Sequence, residues 1–154
     1  MALLDFLSPE AIAPALRANS KKQVLQELSA QAARLTGLDE RTIFEALLQR
    51  ERLGSTGIGE GLAIPHGKLP HLTRLFGLLA RLEKPVDFEA LDGQPVDVLF
   101  LLLAPEGAGA DHLKALARVA RQLREPGILD RIRATRDADA LYAVMTETPA
   151  PRAA

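Results

Sequence analysis

His66 lies in the stretch GSTGIGEGLAIPHGK, residues 54–68, where five glycines and one proline surround a single histidine. A neutral imidazole near pH 7 is a competent nucleophile, and its phosphorylated form is a reactive donor. Pro65 fixes its own φ just before the ring, and Gly67 lets another group approach closely just after it. A ring presented so rigidly suits phosphoryl transfer at a surface. It suits equally a histidine in a tight turn whose ring is hydrogen-bonded, and the local residues leave both readings open.

Other chemistries fail on spacing. A P-loop needs four residues between its first Gly and the Gly-Lys pair, then Ser or Thr; Gly61 to Gly67 encloses five, and Leu69 follows Lys68. Gly57, Gly59 and Gly61 run G-x-G-x-G, which is not the dinucleotide fingerprint, and GSTG is not the nucleophile elbow of a serine hydrolase. His66, His71 and His112 are the three histidines. They lack the H-E-x-x-H spacing of a helical zinc site, and His71, between Pro70 and Leu72, reads as a solvated loop residue, so no metal and no cofactor is expected.

The elements that must carry His66 can be read from periodicity. Ser20 caps a helix whose apolar positions are Val24, Leu25, Leu28, Ala32 and Leu35, stopped by Gly37. Asp39 caps a second, with Ile43, Phe44, Leu47 and Leu48 inward and Gly54 at its end. GLAIP reads as a short strand, and residues 75–82 alternate through Leu78, Ala80 and Leu82. The run PVDVLFLLLAP, bounded by prolines, has the pattern of a central strand covered on both faces. Asp111 is expected to cap a helix carrying Leu113, Leu116, Ala117, Ala120 and Leu123, and Asp137 another carrying Leu141, Val144 and Met145. EPGILDRIRA between them reads as a short helix, and Ile12, Pro14 and Leu16 as an edge strand. The expected fold is α/β: a mixed central sheet with helices on both faces, one three-layer domain over residues 1–148, followed by a disordered tail at 149–154.

Composition narrows the function. A chain of 154 residues fits one domain, and with 47% apolar but only 4% aromatic residues its core must be built from Leu, Ile, Val and Ala. A net charge of -1 supplies no global field for a polyanion, so nucleic acid is not an expected partner. The absence of cysteine fits a reducing compartment. MALLDFLSPE lacks a basic n-region, and no apolar run reaches the roughly 18 residues of a membrane span, so a cytoplasmic protein without membrane insertion is expected.

The run Glu51, Ile58-Gly59 and Leu62-Ala63-Ile64-Pro65-His66-Gly67 resembles the phosphohistidine signature of the mannitol and fructose class of enzyme IIA domains in the bacterial phosphotransferase system. RERLGSTGIGEGLAIPHGKL resembles their nitrogen-regulatory branch in particular. The likeness continues through PVDFEALDGQPVDVLFLLLAPEG, HLKALARVARQL and LYAVMTET; the first 19 residues resemble the family only loosely. The resemblance implies that His66 accepts a phosphoryl group on Nε2 from an HPr-like carrier protein and signals to regulatory protein targets by its phosphorylation state. A sugar-specific IIA that donates to a separate IIB is the alternative.

The same resemblance matches His112 to the family's second active-site histidine and Arg50 to an arginine beside the site. Read locally, His112 is a polar residue in a helix's first turn, where backbone N–H groups favour an anion, and Arg50 is a cation suited to a helix C-terminus. Ser55, Thr56 and Gly67 are candidates for phosphoryl binding, although the two hydroxyls serve as well to cap a turn. Lys68 reads as a solvated charge. Ile58, Leu62 and Ile64 are candidates for an apolar docking rim, with a core role as the default.

Overall fold

A computed structural model describes residues 1–147; the tail expected at 149–154 lies outside them. The sheet is built around one strand, β6 (Val96–Pro105), whose residues from Val98 to Ala104 are wholly buried. Such a strand needs cover on both faces. β5 (Phe76–Val86) pairs antiparallel with it on one side, and β1 (Leu7–Leu16) runs parallel to β5 at the sheet's edge. An edge position tolerates the two prolines of β1, which cannot donate to a ladder.

On the other side of β6 two short strands lie end to end. β3 (Leu62–Ala63) pairs with its first half and β4 (His66–Leu69) with its second, both parallel; β2 (Gly57–Gly59) closes the edge against β3. The expected GLAIP strand therefore continues, after a break at residues 64–65, through the histidine itself. Gly77 on β5 is required by a close approach, because a Cβ there would stand 2.7 Å from the ring of Phe100 on β6.

The helices fall into two groups. α1 (Lys21–Thr36) and α2 (Glu40–Arg52) pack on each other, α1 against β1 and β5, α2 against β4. Their caps are the expected ones: Ser20 accepts from the Gln23 amide, Asp39 from that of Thr42, and Gly37 takes the left-handed conformation at φ 75°. α3 (Ala110–Leu123) and α4 (Ile128–Ala134) pack on β6, and α5 (Ala138–Thr146), capped by Asp137, on β1. This is the expected mixed sheet with helical layers.

α3 departs from expectation in two ways. Its N-cap is Gly109, at φ 55°, so Asp111 stands inside the first turn and caps nothing. Its buried stripe is His112, Ala115, Val119, Gln122 and Leu123, while Leu113 is 69% exposed and Ala117 also faces out. The helix is strongly amphipathic, and docking against β6 decides which positions along the edge of its apolar face are fully enclosed.

Candidate functional site

The ladder along β6 delivers His66. Leu62 and Ala63 pair with Val98 and Leu99, the chain bends at residues 64–65, and pairing resumes with His66 opposite Leu102. Pro65 has no N–H to offer at the break, yet its carbonyl accepts from the Leu102 amide at 2.9 Å. His66 is thus an extended strand residue, not the occupant of a tight turn. Its Nδ1 lies 2.9 Å from the Ile64 carbonyl. A carbonyl can only accept, so Nδ1 carries the proton and Nε2 the lone pair. Burial holds the ring's pKa below the ordinary 6.5, and the Arg50 charge acts in the same direction, against the Ile64 hydrogen bond and Glu51. At pH 7 the ring is neutral, with its Nε2 lone pair free of a proton.

Arg50, in the last turn of α2, meets that lone pair. Its Nε donates to His66 Nε2 at 3.1 Å, and its Nη1 donates to the Gly54 carbonyl at 2.9 Å. α2 passes beside β4 with Ala46 facing Gly67: a Cβ at residue 67 would lie 3.4 Å from the Ala46 methyl, an ordinary packing contact. From the other side, the first turn of α3 brings His112 edge-on to His66, ring centroids 5.5 Å apart at 65°. His112 is buried, and its Nε2 has no hydrogen-bond partner among the described residues. Burial, then the neighbouring His66 and Lys68, lowers its pKa as well.

These groups line an open cavity of about 620 Å³ whose walls also include Arg52, Leu53, Gly67 and Lys68 and no carboxylate. Three cations, an unprotonated ring nitrogen and an unpartnered imidazole nitrogen suit a dianion that must be held and passed on. Of the residues expected at the site, His66, His112, Arg50 and Gly67 converge here, with Lys68 exposed on the wall. Ser55 and Thr56 are spent elsewhere. The Ser55 hydroxyl donates to the Phe88 carbonyl at 2.7 Å and accepts from the Gly57 amide, and Thr56 gives both its amide and its hydroxyl to the Glu51 carboxylate. Of the two roles read for these hydroxyls, bracing the turn is the one their bonds serve.

His71 is exposed in a turn at φ 68°, and among the described residues no group of three or more His, Cys, Asp or Glu side chains is placed to hold a metal. Leu62 and Ile64 belong to the core and Ile58 packs against it, so they do not form a docking rim. The exposed apolar side chains beside the site are instead Leu53, 85% exposed at the cavity wall, and Leu113, next to His112. Both sit at helix ends, and an isolated leucine there carries no sequence signal that separates docking from packing. Among the described residues no helix is long and apolar enough to cross a membrane.

Residues 5–148 match the family model described as phosphoenolpyruvate-dependent sugar phosphotransferase system, EIIA 2, so the match reaches back through the amino-terminal segment whose likeness was loose. A protein of Bradyrhizobium diazoefficiens named nitrogen regulatory protein is 64% identical over 153 residues, 99% of this chain and 100% of the relative. The crystal structure of nitrogen regulatory protein IIA-Ntr from Neisseria meningitidis superposes with a TM-score of 0.88 at 34% identity, covering 94% of this chain and 100% of that one. A fructose-specific EIIABC component of Bacillus subtilis is 32% identical over 96% of this chain but only 23% of its own length.

Proposed function

Since the chain belongs to the EIIA 2 family of the phosphotransferase system, we propose that it is a phosphohistidine carrier of the nitrogen-regulatory branch, with His66 as the acceptor. The observation that carries this reading is the Nε2 of His66, left unprotonated by the Ile64 carbonyl and placed between Arg50 and His112. The donor is an HPr-like carrier bearing its own phosphohistidine. The Nε2 lone pair attacks phosphorus in line, the phosphorus–nitrogen bond of the carrier breaks, and the carrier imidazole keeps that electron pair. Positive charge grows on the His66 ring, and the Ile64 carbonyl offsets it while holding the Nδ1 proton. Arg50 turns its fork from the lone pair to the phosphoryl oxygens, and His112, Lys68 and the first turn of α3 complete the charge stabilisation.

Nothing in this sequence of steps calls for a cofactor. The residue set we favour for the phosphoryl group is His66, His112, Arg50 and Gly67, joined by Lys68 on the cavity wall, with Ser55 and Thr56 supporting the turn. Regulation follows from about -1.5 to -2 charges appearing at one point between Leu53 and Leu113, where protein targets distinguish the two states. The kinship supporting the nitrogen branch is the near full-length likeness to a nitrogen regulatory protein.

The test is incubation with a labelled phosphorylated carrier of HPr type. His66 is expected to take up alkali-stable, acid-labile label, and His66→Ala none. Undiminished labelling of the alanine variant would end this reading; rapid onward transfer to a sugar-specific IIB would instead favour a transport role.

A further inference from the structure

We propose that Glu51 is a positioning residue for phosphoryl transfer: its buried carboxylate, clamped between Lys21 and Thr56, sets where Arg50 and the His66 ring meet. The inference rests on His66 as the acceptor. The Glu51 side chain is only 4% exposed. A carboxylate buried that deeply requires a partner charge and donors for its lone pairs. Lys21, from the first turn of α1, supplies the charge with its Nζ at 2.8 Å. Thr56 supplies the donors, its amide reaching the two oxygens at 3.1 and 3.3 Å and its hydroxyl bonding one of them.

From this clamp two paths lead to the reacting nitrogen. Along the first, the Thr56 carbonyl accepts from the Ile64 amide at 3.0 Å, and the Ile64 carbonyl accepts the Nδ1 proton of His66. Along the second, Glu51 adjoins Arg50 in the last turn of α2, and the turn that Thr56 anchors places the Gly54 carbonyl 2.9 Å from Arg50 Nη1. One carboxylate thus governs both sides of the 3.1 Å contact between Arg50 and His66. Lys21 closes the arrangement from below, 4.8 Å over the ring of Phe88, whose carbonyl holds the Ser55 hydroxyl. A purely structural need would be met as well by an apolar pair of similar volume.

That comparison is the experiment. Lys21→Met combined with Glu51→Leu removes the buried carboxylate and its partner charge together; Thr56→Val removes one hydroxyl donor at nearly constant volume. Three quantities are read: the urea midpoint, the initial rate of label transfer from a phosphorylated HPr-type carrier, and the ¹⁵N shifts of the His66 ring without phosphate. The double variant is expected to fold with a midpoint near the parent's yet to transfer at least about tenfold more slowly, as displaced reacting groups do. Its Nε2 signal should move toward that of an imidazole nitrogen lacking a donor. Thr56→Val should shift both readouts in the same direction by less, and it decides the matter if the double variant does not fold. Parental rates together with parental ring shifts in a folded variant would overturn the proposal. If the parent itself takes no label on His66, the acceptor reading fails, and the ring shifts still decide whether the clamp holds Arg50 on His66.

Discussion

Arg50 Nε sits 3.1 Å from His66 Nε2, so the guanidinium occupies the lone pair that the proposed phosphoryl transfer needs. The same nitrogen cannot accept that hydrogen bond and bond phosphorus, so Arg50 must move as the phosphoryl group arrives. In the transfer proposed above, the arginine holds the ring in the resting protein and grips the phosphoryl oxygens in the transition state.

From this dual role, Arg50→Ala is expected to slow transfer to His66 by roughly 10- to 1000-fold. Arg50→Lys keeps the charge but loses the planar fork, and should recover only part of the rate. Single-turnover transfer from a phosphorylated carrier measures both. Parental rates in the two variants would remove Arg50 from the site.

For His112 the expectation separates rate from stability. Its ring is buried at the start of α3 and bonds to no other described residue, so His112→Ala breaks no hydrogen bond within the described protein and loses only packing. The thermal midpoint should change little while transfer slows about 10-fold or more. A large drop in midpoint at an unchanged rate would make His112 a packing residue.

Protonation supplies a third test. His66 and His112 both have folded-state pKa values below the ordinary 6.5, chiefly through burial. Between those values and 6.5 the unfolded chain binds more protons, so stability falls as pH drops through that window. The loss is complete below the folded-state values, and these two groups add no slope above about pH 7.5. Urea midpoints from pH 7.5 to 5 should fall less steeply for His112→Gln than for the parent. Parallel slopes would contradict the assignment. Ring-proton titrations should place both midpoints below the free imidazole value.

Away from the site, Gly77→Ala forces a methyl group into the ring of Phe100 and close to that of Phe6. Overpacking of this kind costs about 1–3 kcal/mol, read as a lower urea midpoint. Folded Gly77→Ala should still accept phosphate at the parental rate, because β5 pairs with the side of β6 opposite His66. A slowed transfer in the folded variant would show that strain crosses the sheet.

Regulatory targets should discriminate the phosphorylated from the unphosphorylated protein by at least about tenfold in affinity, or 1.4 kcal/mol. Titration calorimetry of both forms, and of Leu53→Ser, measures this. Equal affinities of both forms for every partner would make His66 a conduit to an acceptor, and an undisturbed affinity in Leu53→Ser would take Leu53 out of the docking surface.

Much of this was legible from short-range pattern. Ser20 and Gly37 bound α1, Asp39 opens α2 and Asp137 opens α5, because caps act within a few residues of the groups they satisfy. The prolines around residues 96–105 mark the central strand, since an unbroken apolar run is stable only when covered on both faces. His66 stood out from its own neighbours, and the pairing with His112 and Arg50 came from family likeness.

What the amino-acid order alone determined, then, is the set of local elements and the identity of the candidate acceptor. Tertiary structure decided the tautomer of His66, through a carbonyl two residues away that only the β6 ladder places beside Nδ1. It decided the rotation of α3, which buries His112 and exposes Leu113. It also turned the hydroxyls of Ser55 and Thr56 away from the cavity, toward Phe88 and Glu51. The Lys21–Glu51 pair joins the start of one helix to the end of the next. None of these contacts has a sequence period. The long-range ones depend on which distant segment fills the space beside a residue, and the short-range ones on the backbone path that strand pairing imposes.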